Sequence, residues 1–326
     1  MWKQLTREER FVLGELLELK LKKTSIAERL GVDRSTIYRE LKRNSGPRGY
    51  QPEEAQQRTD TRRWVNRQRK MDDAVTGAYV RERLEQHWSP DQIAGRTQLD
   101  FWRYPRHHVS RQTIYDWIER ERRFGRRQWR ACLRFGKPRR KRSVNAGRLP
   151  GAVSIEGRPR VVELRRRFGD WEGDTIIGRG RRGGLVSLVE RKSGYTLLRR
   201  VDDLCADTVR EALTCKLAPL PEPLRRTATF DNGKEFAEHA QLAEAVGMEM
   251  YFAKPYAAWQ RGTNENTNGL VRQYYPKGSD LAALSHGEVT AVEISLNDRP
   301  RKRLSYRTPR EVLNQVNRRH RVAFEF

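Results

Sequence analysis

The order of strand-like and helix-like segments in the second half of the chain most restricts its fold. Its first three strand-like segments carry many β-branched and apolar residues and are separated by glycine-containing turns. The segments are, in order, strands at residues 170–177, 185–190 and 195–201, a helix at 207–217, a strand at 227–230, a helix at 236–246, a strand at 248–253 and a helix from near Thr263. This order predicts an α/β domain with one mixed five-stranded sheet and helices.

Three acidic residues occupy informative places in that order. Asp174 lies in the first strand, Asp231 directly follows the fourth, and Glu265 lies on the last helix, 265 − 231 = 34 positions later. Acids that converge from two strands and a helix can hold two divalent metal ions about 3.5–4 Å apart for attack on a phosphodiester. Asp170, Glu172 and Asp174 share one face of the first strand, so the pattern leaves the first ligand open. Asp170 and Glu172 equally fit charges that protect an edge strand.

Composition favours nucleic acid as the partner of such a site. The 326 residues include 67 Lys and Arg against 42 Asp and Glu, which gives a net charge of +25. No apolar run approaches the roughly 20 residues of a membrane-spanning helix, and the amino terminus lacks the apolar core of a signal peptide. The three cysteines form no Cys-x-x-Cys pair, which argues against a disulfide scaffold or a zinc finger. We expect a cytoplasmic, nucleoid-associated protein without membrane contact.

The amino-terminal region has the pattern of an all-α helix-turn-helix module. A helix over residues 5–21 precedes two shorter helices, at 26–30 and 34–41; Gly31 ends the former and Asp33 caps the latter. The candidate DNA contacts on the third helix are Arg34, Ser35, Thr36, Tyr38, Arg39 and Lys42. A helical hairpin with a solvated, charged face is the structural alternative.

A second copy of this third helix occurs later in the chain. Residues 32–41 align without gaps on residues 109–118, and five of ten positions are identical. Ser89 and Pro90 are suited to begin the preceding helix, and residues 95–108 are expected to form a longer loop than in the first module. The candidate DNA contacts of this copy are Arg111, Gln112, Thr113 and Tyr115.

Basic segments separate the predicted domains. The chain has no Asp or Glu between Arg122 and Arg148, so this segment is either a solvated tether or one that lies along DNA phosphates. Its candidate phosphate contacts are Arg139, Arg140, Lys141 and Arg142. The expected domains are a helix-turn-helix domain at residues 1–46, a basic helical linker at 47–76, a second helix-turn-helix domain at 77–123, the tether at 124–149 and a catalytic domain at 150–326.

Three motifs carry a resemblance to a known family. They are Trp171-Glu172-Gly173-Asp174-Thr175, Asp231-Asn232-Gly233-Lys234-Glu235-Phe236, and the stretch from Lys254-Pro255-Tyr256 to Pro276-Lys277-Gly278. With them the whole chain resembles the ribonuclease H-like transposases and integrases, specifically the bacterial insertion sequence thirty family. The resemblance implies that Asp174, Asp231 and Glu265 are the catalytic metal ligands and that Arg272 is the family's basic residue seven positions after the glutamate. Asp170 stands where the family more often has histidine.

The same resemblance implies the function. It indicates a DNA transposase that binds the terminal inverted repeats of its element and catalyses cleavage and strand transfer with two Mg²⁺ ions per site, for which Mn²⁺ substitutes. Its partners would be double-stranded DNA of the element end and the target, and further copies of the chain in a dimer or larger assembly. The alternatives are a domesticated, non-catalytic DNA-binding regulator and a sequence-directed nuclease without strand transfer. The three intact acids disfavour the first, and the two recognition modules disfavour the second.

Other polar residues near the acids have two interpretations. Glu235 either supports the metal site or favours the start of the next helix through the helix dipole. Asn264, Asn266 and Asn268 either contact DNA or form turns. Arg272 shares a helix face with Glu265 if the helix is unbroken, which would place it to hold a DNA phosphate.

Overall fold

A computed structural model describes residues 4–134, 149–254 and 262–320, without the side chains of residues 65–69 and 316–320. The chain divides into two compact units, Met1–Val80 with Arg111–Gly125, and Arg81–Ser110 with Arg126–Phe326. Among the described helices, none is long and apolar enough to cross a membrane. The helices are α1 (Arg7–Glu18), α2 (Lys23–Leu30), α3 (Arg34–Asn44), α4 (Pro52–Asp72), α5 (Ala74–Glu85), α6 (Pro90–Asp100), α7 (Arg111–Arg123), α8 (Gln128–Ala131), α9 (Arg160–Glu163), α10 (Ala206–Leu217), α11 (His239–Val246), α12 (Gly262–Tyr274), α13 (His286–Asn297) and α14 (Pro309–His320), and the strands are β1 (Asp170–Ile177), β2 (Gly184–Glu190), β3 (Thr196–Val201), β4 (Thr227–Phe230) and β5 (Glu249–Phe252).

The first unit begins with the three helices that the sequence predicts. Leu13, Ile26 and Ile37, one from each helix, are fully buried in a shared apolar core. Gly31 ends α2 in the left-handed conformation, with φ of 62°, which glycine adopts without the clash of a Cβ atom. The Asp33 side chain caps α3 by accepting a hydrogen bond of 2.7 Å from the Ser35 amide. The helix-turn-helix prediction is therefore confirmed at the level of structure.

The basic segment after this module is helical, as expected, but it also packs as part of the first unit. On α4, Gln56 accepts a 2.8 Å hydrogen bond from Arg10, and Thr59 accepts one of 3.3 Å from Asn44. Both donors are almost completely buried. Because buried polar groups need partners, these contacts fix α4 against α1 and α3.

The second unit contains a five-stranded sheet in the order β3-β2-β1-β4-β5. β1, β2 and β3 are antiparallel neighbours, whereas β4 and β5 run parallel to β1. This is the ribonuclease H-like arrangement, and the predicted order of elements is confirmed. α11 starts three residues later than expected, at His239, because Lys234–Phe236 forms a separate 3₁₀ turn.

Apolar residues cover the two faces of the sheet in alternation. Trp171 and Phe230 lie in a core with Val209 of α10, while Ile176 lies on the opposite face in a core with Val271 of α12. The period of two along β1 produces this division. It also places Asp170, Glu172 and Asp174 on the face of Ile176.

The segment before α7 differs from the prediction. α6 begins at Pro90, capped by Ser89 as expected, but continues through Gly95 to Asp100, so the predicted loop at residues 95–108 is wrong in its first part. Gly95 is required inside this helix because a Cβ atom there would collide with the ring of Tyr306. α6 and α7 belong to different units, so their pairing as a second helix-turn-helix module stays a prediction.

Candidate active site

The first two acids lie on adjacent parallel strands, with Asp174 inside β1 and Asp231 directly after the end of β4. β1 and β4 pair in register up to Glu172 opposite Thr229. Asp174 and Asp231 each follow two residues beyond this pair. Since side chains alternate along a strand, each acid continues the row of its own strand on one shared face. The pairing of β1 with β4 therefore brings two acids that are distant in sequence to neighbouring positions.

Asp174 is half-buried and its carboxylate is held in place. Oδ1 accepts a hydrogen bond of 3.0 Å from the Thr175 amide, and Oδ2 accepts one of 2.7 Å from Nδ2 of Asn268 on α12. Oγ of the buried Ser187 donates to Oδ1 of Asn268 at 3.0 Å. These bonds fix the direction of the Asn268 amide, which in turn fixes the direction of the carboxylate.

Asp231 begins a turn, and the residues on both sides of it are held in fixed positions. Its Oδ1 accepts a hydrogen bond of 3.1 Å from the Gly233 amide. The next side chain, Asn232, is 7% exposed and donates to the Ala253 carbonyl at 2.5 Å. Phe230, on the other side, is completely buried in the core. The chain is therefore held on both sides of Asp231, whose side chain is half-buried.

α12 runs alongside β1 and carries Glu265. Three hydrogen bonds connect the two elements in order, from the Asn264 amide to Glu172 at 3.0 Å, from Asn268 to Asp174 at 2.7 Å, and from Arg272 to the Ile177 carbonyl at 3.2 Å. Successive contacts, four residues apart on α12, therefore lie progressively closer to the carboxyl end of β1. Glu265 lies one turn before Asn268 on the same helix face, and its side chain is exposed.

The two remaining acids of β1 are buried in ion pairs. Asp170 accepts two hydrogen bonds from Arg167, at 2.9 and 3.0 Å, and Glu172 accepts one of 2.7 Å from Arg191. Both acids are at most 1% exposed. The edge-strand interpretation is wrong, because β1 is the central strand of the sheet. Their charges require partners because the interior cannot solvate them.

A third arginine lies on the same face of the sheet, next to Thr229 of β4. Arg158 donates to the Thr229 hydroxyl at 2.8 Å and forms an ion pair with Glu163, which also pairs with Arg191 at 3.2 Å. Burial, and then the nearby charge of Arg191, lower the pKa of Arg158 to about 10. The buried part of this sheet face is therefore a network of paired charges. The partly exposed carboxylates of the face are those of Asp174 and Asp231.

Glu235 connects the loop after β4 to β1. Its Oε1 accepts a hydrogen bond of 3.0 Å from the Thr175 hydroxyl, next to Asp174 in the chain. This contact favours a supporting role at the site over a purely helix-starting role.

Arg272 lies on the same unbroken helix as Glu265, as expected. Its guanidinium donates to two neutral carbonyls, of Ile177 at 3.2 Å and of Pro276 at 3.5 Å. Partial burial lowers the pKa of Arg272. A cation whose hydrogen bonds go to neutral groups keeps its charge available for an anion.

The three acids have the chemistry of a divalent-cation site. Carboxylate oxygens are the ligands that Mg²⁺ and Mn²⁺ prefer. Across residues 4–134, 149–254 and 262–320, no three His, Cys, Asp or Glu side chains lie close enough to hold one ion together. Hydrogen bonds orient Asp174 and Asp231 beside the sheet, whereas Glu265 lies on α12 with an exposed side chain.

Most candidate DNA contacts are accessible, with one correction. Arg34, Tyr38 and Lys42 are exposed on α3, and Arg111 is exposed on α7. Thr113 is 5% exposed and packs in the interior, so it is removed from the candidate contacts. Of the other candidates, Ser35, Thr36 and Arg39 are half-buried, whereas Gln112 and Tyr115 are exposed. Arg139, Arg140, Lys141 and Arg142 lie outside the described residues.

The helix predicted from near Thr263 is confirmed, and the turn interpretation of the asparagines after Gly262 is therefore wrong. Asn264, Asn266 and Asn268 lie on α12, where Asn264 is 1% exposed. The signal that could have identified Asn268 is its spacing of three residues from Glu265, which places both on one helix face. Ser187 and Arg191 had no such signal, because their roles depend on the register of β1 with β2.

Comparisons with known proteins identify the family. A helix-turn-helix domain family matches residues 1–44. The catalytic core domain of BIV integrase aligns with 47% of this chain and 98% of its own, at 18% identity and a TM-score of 0.36. The transposase for insertion sequence element IS4351 of Bacteroides fragilis is 40% identical over 99% of each chain. Transposase InsI for element IS30C of Escherichia coli is 35% identical over 95% of this chain and 83% of its own. The chain therefore belongs to the IS30 family of insertion sequence transposases.

Proposed function

We propose that this transposase binds the terminal inverted repeats of its own insertion sequence and joins the element to target DNA by phosphodiester cleavage and strand transfer. The observation that carries the proposal is that Asp174 and Asp231 each lie two residues beyond the paired Glu172 and Thr229 of β1 and β4, with α12, which carries Glu265, alongside. A strongly basic chain with an amino-terminal helix-turn-helix domain supports double-stranded DNA as the substrate.

Asp174, Asp231 and Glu265 would hold divalent cations, most simply two Mg²⁺ ions, with Mn²⁺ as a substitute. Such ions would supply positive charge to the attacking and leaving oxygens of an in-line displacement at phosphorus. Glu265 would complete the set by rotating its exposed side chain toward the sheet. The carboxylates of Asp174 and Asp231, which hydrogen bonds already hold, would need little rearrangement when DNA arrives.

The other residues of the site bind and orient. Asn268 keeps the Asp174 carboxylate in one direction, and Glu235 holds the chain at Thr175. Arg272 would hold a phosphate next to the scissile bond. In the first step water attacks a phosphodiester at the element end and frees a 3′-hydroxyl. In the second step this hydroxyl attacks a target phosphodiester, the new P–O bond replaces the bond to the target strand's 3′-oxygen, and that oxygen leaves as a 3′-hydroxyl, so no covalent link to a protein nucleophile is needed.

Recognition of the ends would be separate from this chemistry. The exposed residues of α3 and α7 would contact DNA in two neighbouring segments, and the basic tether would add contacts to phosphates. Joining two ends to one target would require a dimer or larger assembly of the chain. The enzyme would act on DNA in the bacterial nucleoid.

The test uses purified full-length protein with labelled element-end DNA and a target plasmid, with Mg²⁺ or with EDTA. We expect cleaved ends and end-to-plasmid products with Mg²⁺ and neither in EDTA. Binding of the ends without any product would instead indicate a DNA-binding regulator. Cleavage without joined products would indicate a nuclease.

A further inference from the structure

The segment between α6 and α7 exposes aromatic rings beside arginines. Trp102 is 66% exposed and Tyr104 is 58% exposed. The guanidinium of Arg103 lies 4.6 Å from the centre of the Trp102 ring, and Arg106 is also exposed. Residues 101–110 contain no acid. Tryptophan is highly buried on average, so the exposure of Trp102 two residues from an exposed tyrosine and next to an arginine asks for a partner.

The segment is held in shape by its own hydrogen bonds. The Tyr104 amide donates to the Phe101 carbonyl at 2.8 Å, and the His107 amide donates to the Tyr104 carbonyl at 2.9 Å. His107 is 5% exposed, and its ring lies 5.3 Å from that of Phe101. The exposed rings therefore project from an ordered base. A preorganised surface loses less entropy when it binds a partner.

We propose that this segment binds an unpaired DNA base, which stacks on Trp102 or Tyr104 while Arg103 and Arg106 contact the neighbouring phosphates. Bases in a duplex are stacked on each other and present only their edges, whereas an unpaired base presents its face to an aromatic ring. The inference rests on the proposed function, because cleavage at an element end leaves a strand terminus whose last bases fray from the duplex.

Charge favours DNA over another copy of the chain as the occupant. The chain carries a net charge of +25, and this segment contributes arginines without acids. Two such surfaces repel each other, whereas the phosphates beside an unpaired base attract them. Flat rings flanked by arginines also match the way in which proteins bind single strands, by stacking and by contacts to the backbone.

The test compares binding to a DNA duplex with a short single-stranded overhang and to the blunt duplex of the same sequence. The overhang carries 2-aminopurine, whose fluorescence falls when it stacks on an aromatic ring. Measurements in EDTA keep catalysis out of the readout, so a failure of the proposed function does not affect them. The full-length variants are Trp102→Ala, Trp102→Phe and, as a matched control at another exposed tryptophan, Trp64→Ala, which is 54% exposed.

We expect the wild type to prefer the overhang and to quench the 2-aminopurine. Trp102→Ala should reduce that preference roughly 5- to 150-fold, the equivalent of about 1–3 kcal/mol for one stacked base. Trp102→Phe should keep most of it, and Trp64→Ala should keep all of it. The inference is overturned if the wild type binds both duplexes equally, or if Trp102→Ala keeps the wild-type preference. It is also overturned if Trp102→Ala changes only the oligomeric state in sedimentation, which would assign the surface to a second copy.

Discussion

Asn268 on α12 donates its side-chain amide to the Asp174 carboxylate on β1 across 2.7 Å. Ser187 of β2 holds the other end of that amide at 3.0 Å. Three elements therefore determine the direction of one carboxylate. Glu265 lies one turn away on the same helix face, so the contact that orients the first acid also fixes the position of the helix that carries the third.

The first prediction tests this contact. Asn268→Ala should lower the rate of strand transfer by about 10–100-fold, the usual effect of losing a group that orients a metal ligand. Binding to end DNA should be unchanged, because the substitution leaves the charged groups in place. The control is Gln241→Ala, which removes an exposed side-chain amide from α11. A wild-type rate in Asn268→Ala, measured in a single turnover, would contradict the orienting role.

The second prediction concerns the packing behind the site. A Cβ atom on Gly173 would collide with the ring of Phe230, which is completely buried. Gly173→Ala should therefore lower the free energy of unfolding by about 1–3 kcal/mol, the typical cost of overpacking a core. Urea denaturation measures this cost. Gly262→Ala is the control, because nothing lies within 4 Å of its added Cβ. Equal stability of the two variants would contradict the close approach of β1 and β4.

The order of elements and the placement of the acids could be predicted from sequence because both follow local rules. Strand alternation, glycine at turns and capping residues such as Asp33 act over a few residues. The resemblance then selected Asp174 among three acids on one strand face. The ion pairs of Asp170 and Glu172 support that choice, since both of these residues are already engaged in the interior.

What could not be predicted depends on contacts between distant segments. The central position of β1 follows from its pairing with β4, which no local pattern specifies. The need for glycine at position 95 of α6 comes from Tyr306, far along the chain, whose ring occupies the space that a Cβ atom would take. Thr113 matches Thr36 in the repeat, yet it is buried whereas Thr36 is half-exposed, because burial is set by the surroundings of each helix.

The third prediction concerns pH. Glu190 is completely buried, and burial raises its pKa above the ordinary value of 4.5, although hydrogen bonds from Ser193 oppose the shift. The folded state then binds the proton more tightly than the unfolded state, so this contribution to stability is complete below the unfolded pKa and is lost as pH rises through the folded pKa. Because glutamine does not titrate, Glu190→Gln should not show this loss of stability with rising pH.

Urea denaturation over a series of pH values measures that effect. From about pH 4.5 upward, the free energy of unfolding should fall less in Glu190→Gln than in the wild type. Glu249→Gln, at an exposed position of β5, should follow the wild-type curve. Parallel curves for the wild type and Glu190→Gln would show that the buried carboxyl does not titrate in this range.

The fourth prediction concerns recognition. Arg34 is exposed at the start of α3, where a side chain can enter the major groove. If it contacts a base, Arg34→Ala should weaken binding to the element end by about 1–3 kcal/mol and reduce the preference over random DNA. Arg29→Ala, exposed on α2, should leave that preference unchanged. Competition binding of end DNA against random DNA, at a fixed salt concentration, measures the preference of both variants. An unchanged preference in Arg34→Ala would show that Arg34 does not contact a base.

The central claim is that Asp174, Asp231 and Glu265 act as one catalytic site. The most direct measurement is single-turnover strand transfer with Mg²⁺ by Asp174→Asn, Asp231→Asn and Glu265→Gln, alone and in pairs, with Asp207→Asn on the exposed side of α10 as the control. We predict that each single variant falls to background while binding end DNA normally, that pairs are no worse than singles because the three act as a unit, and that the control is active. Strand transfer retained by any one of the three variants would contradict the account.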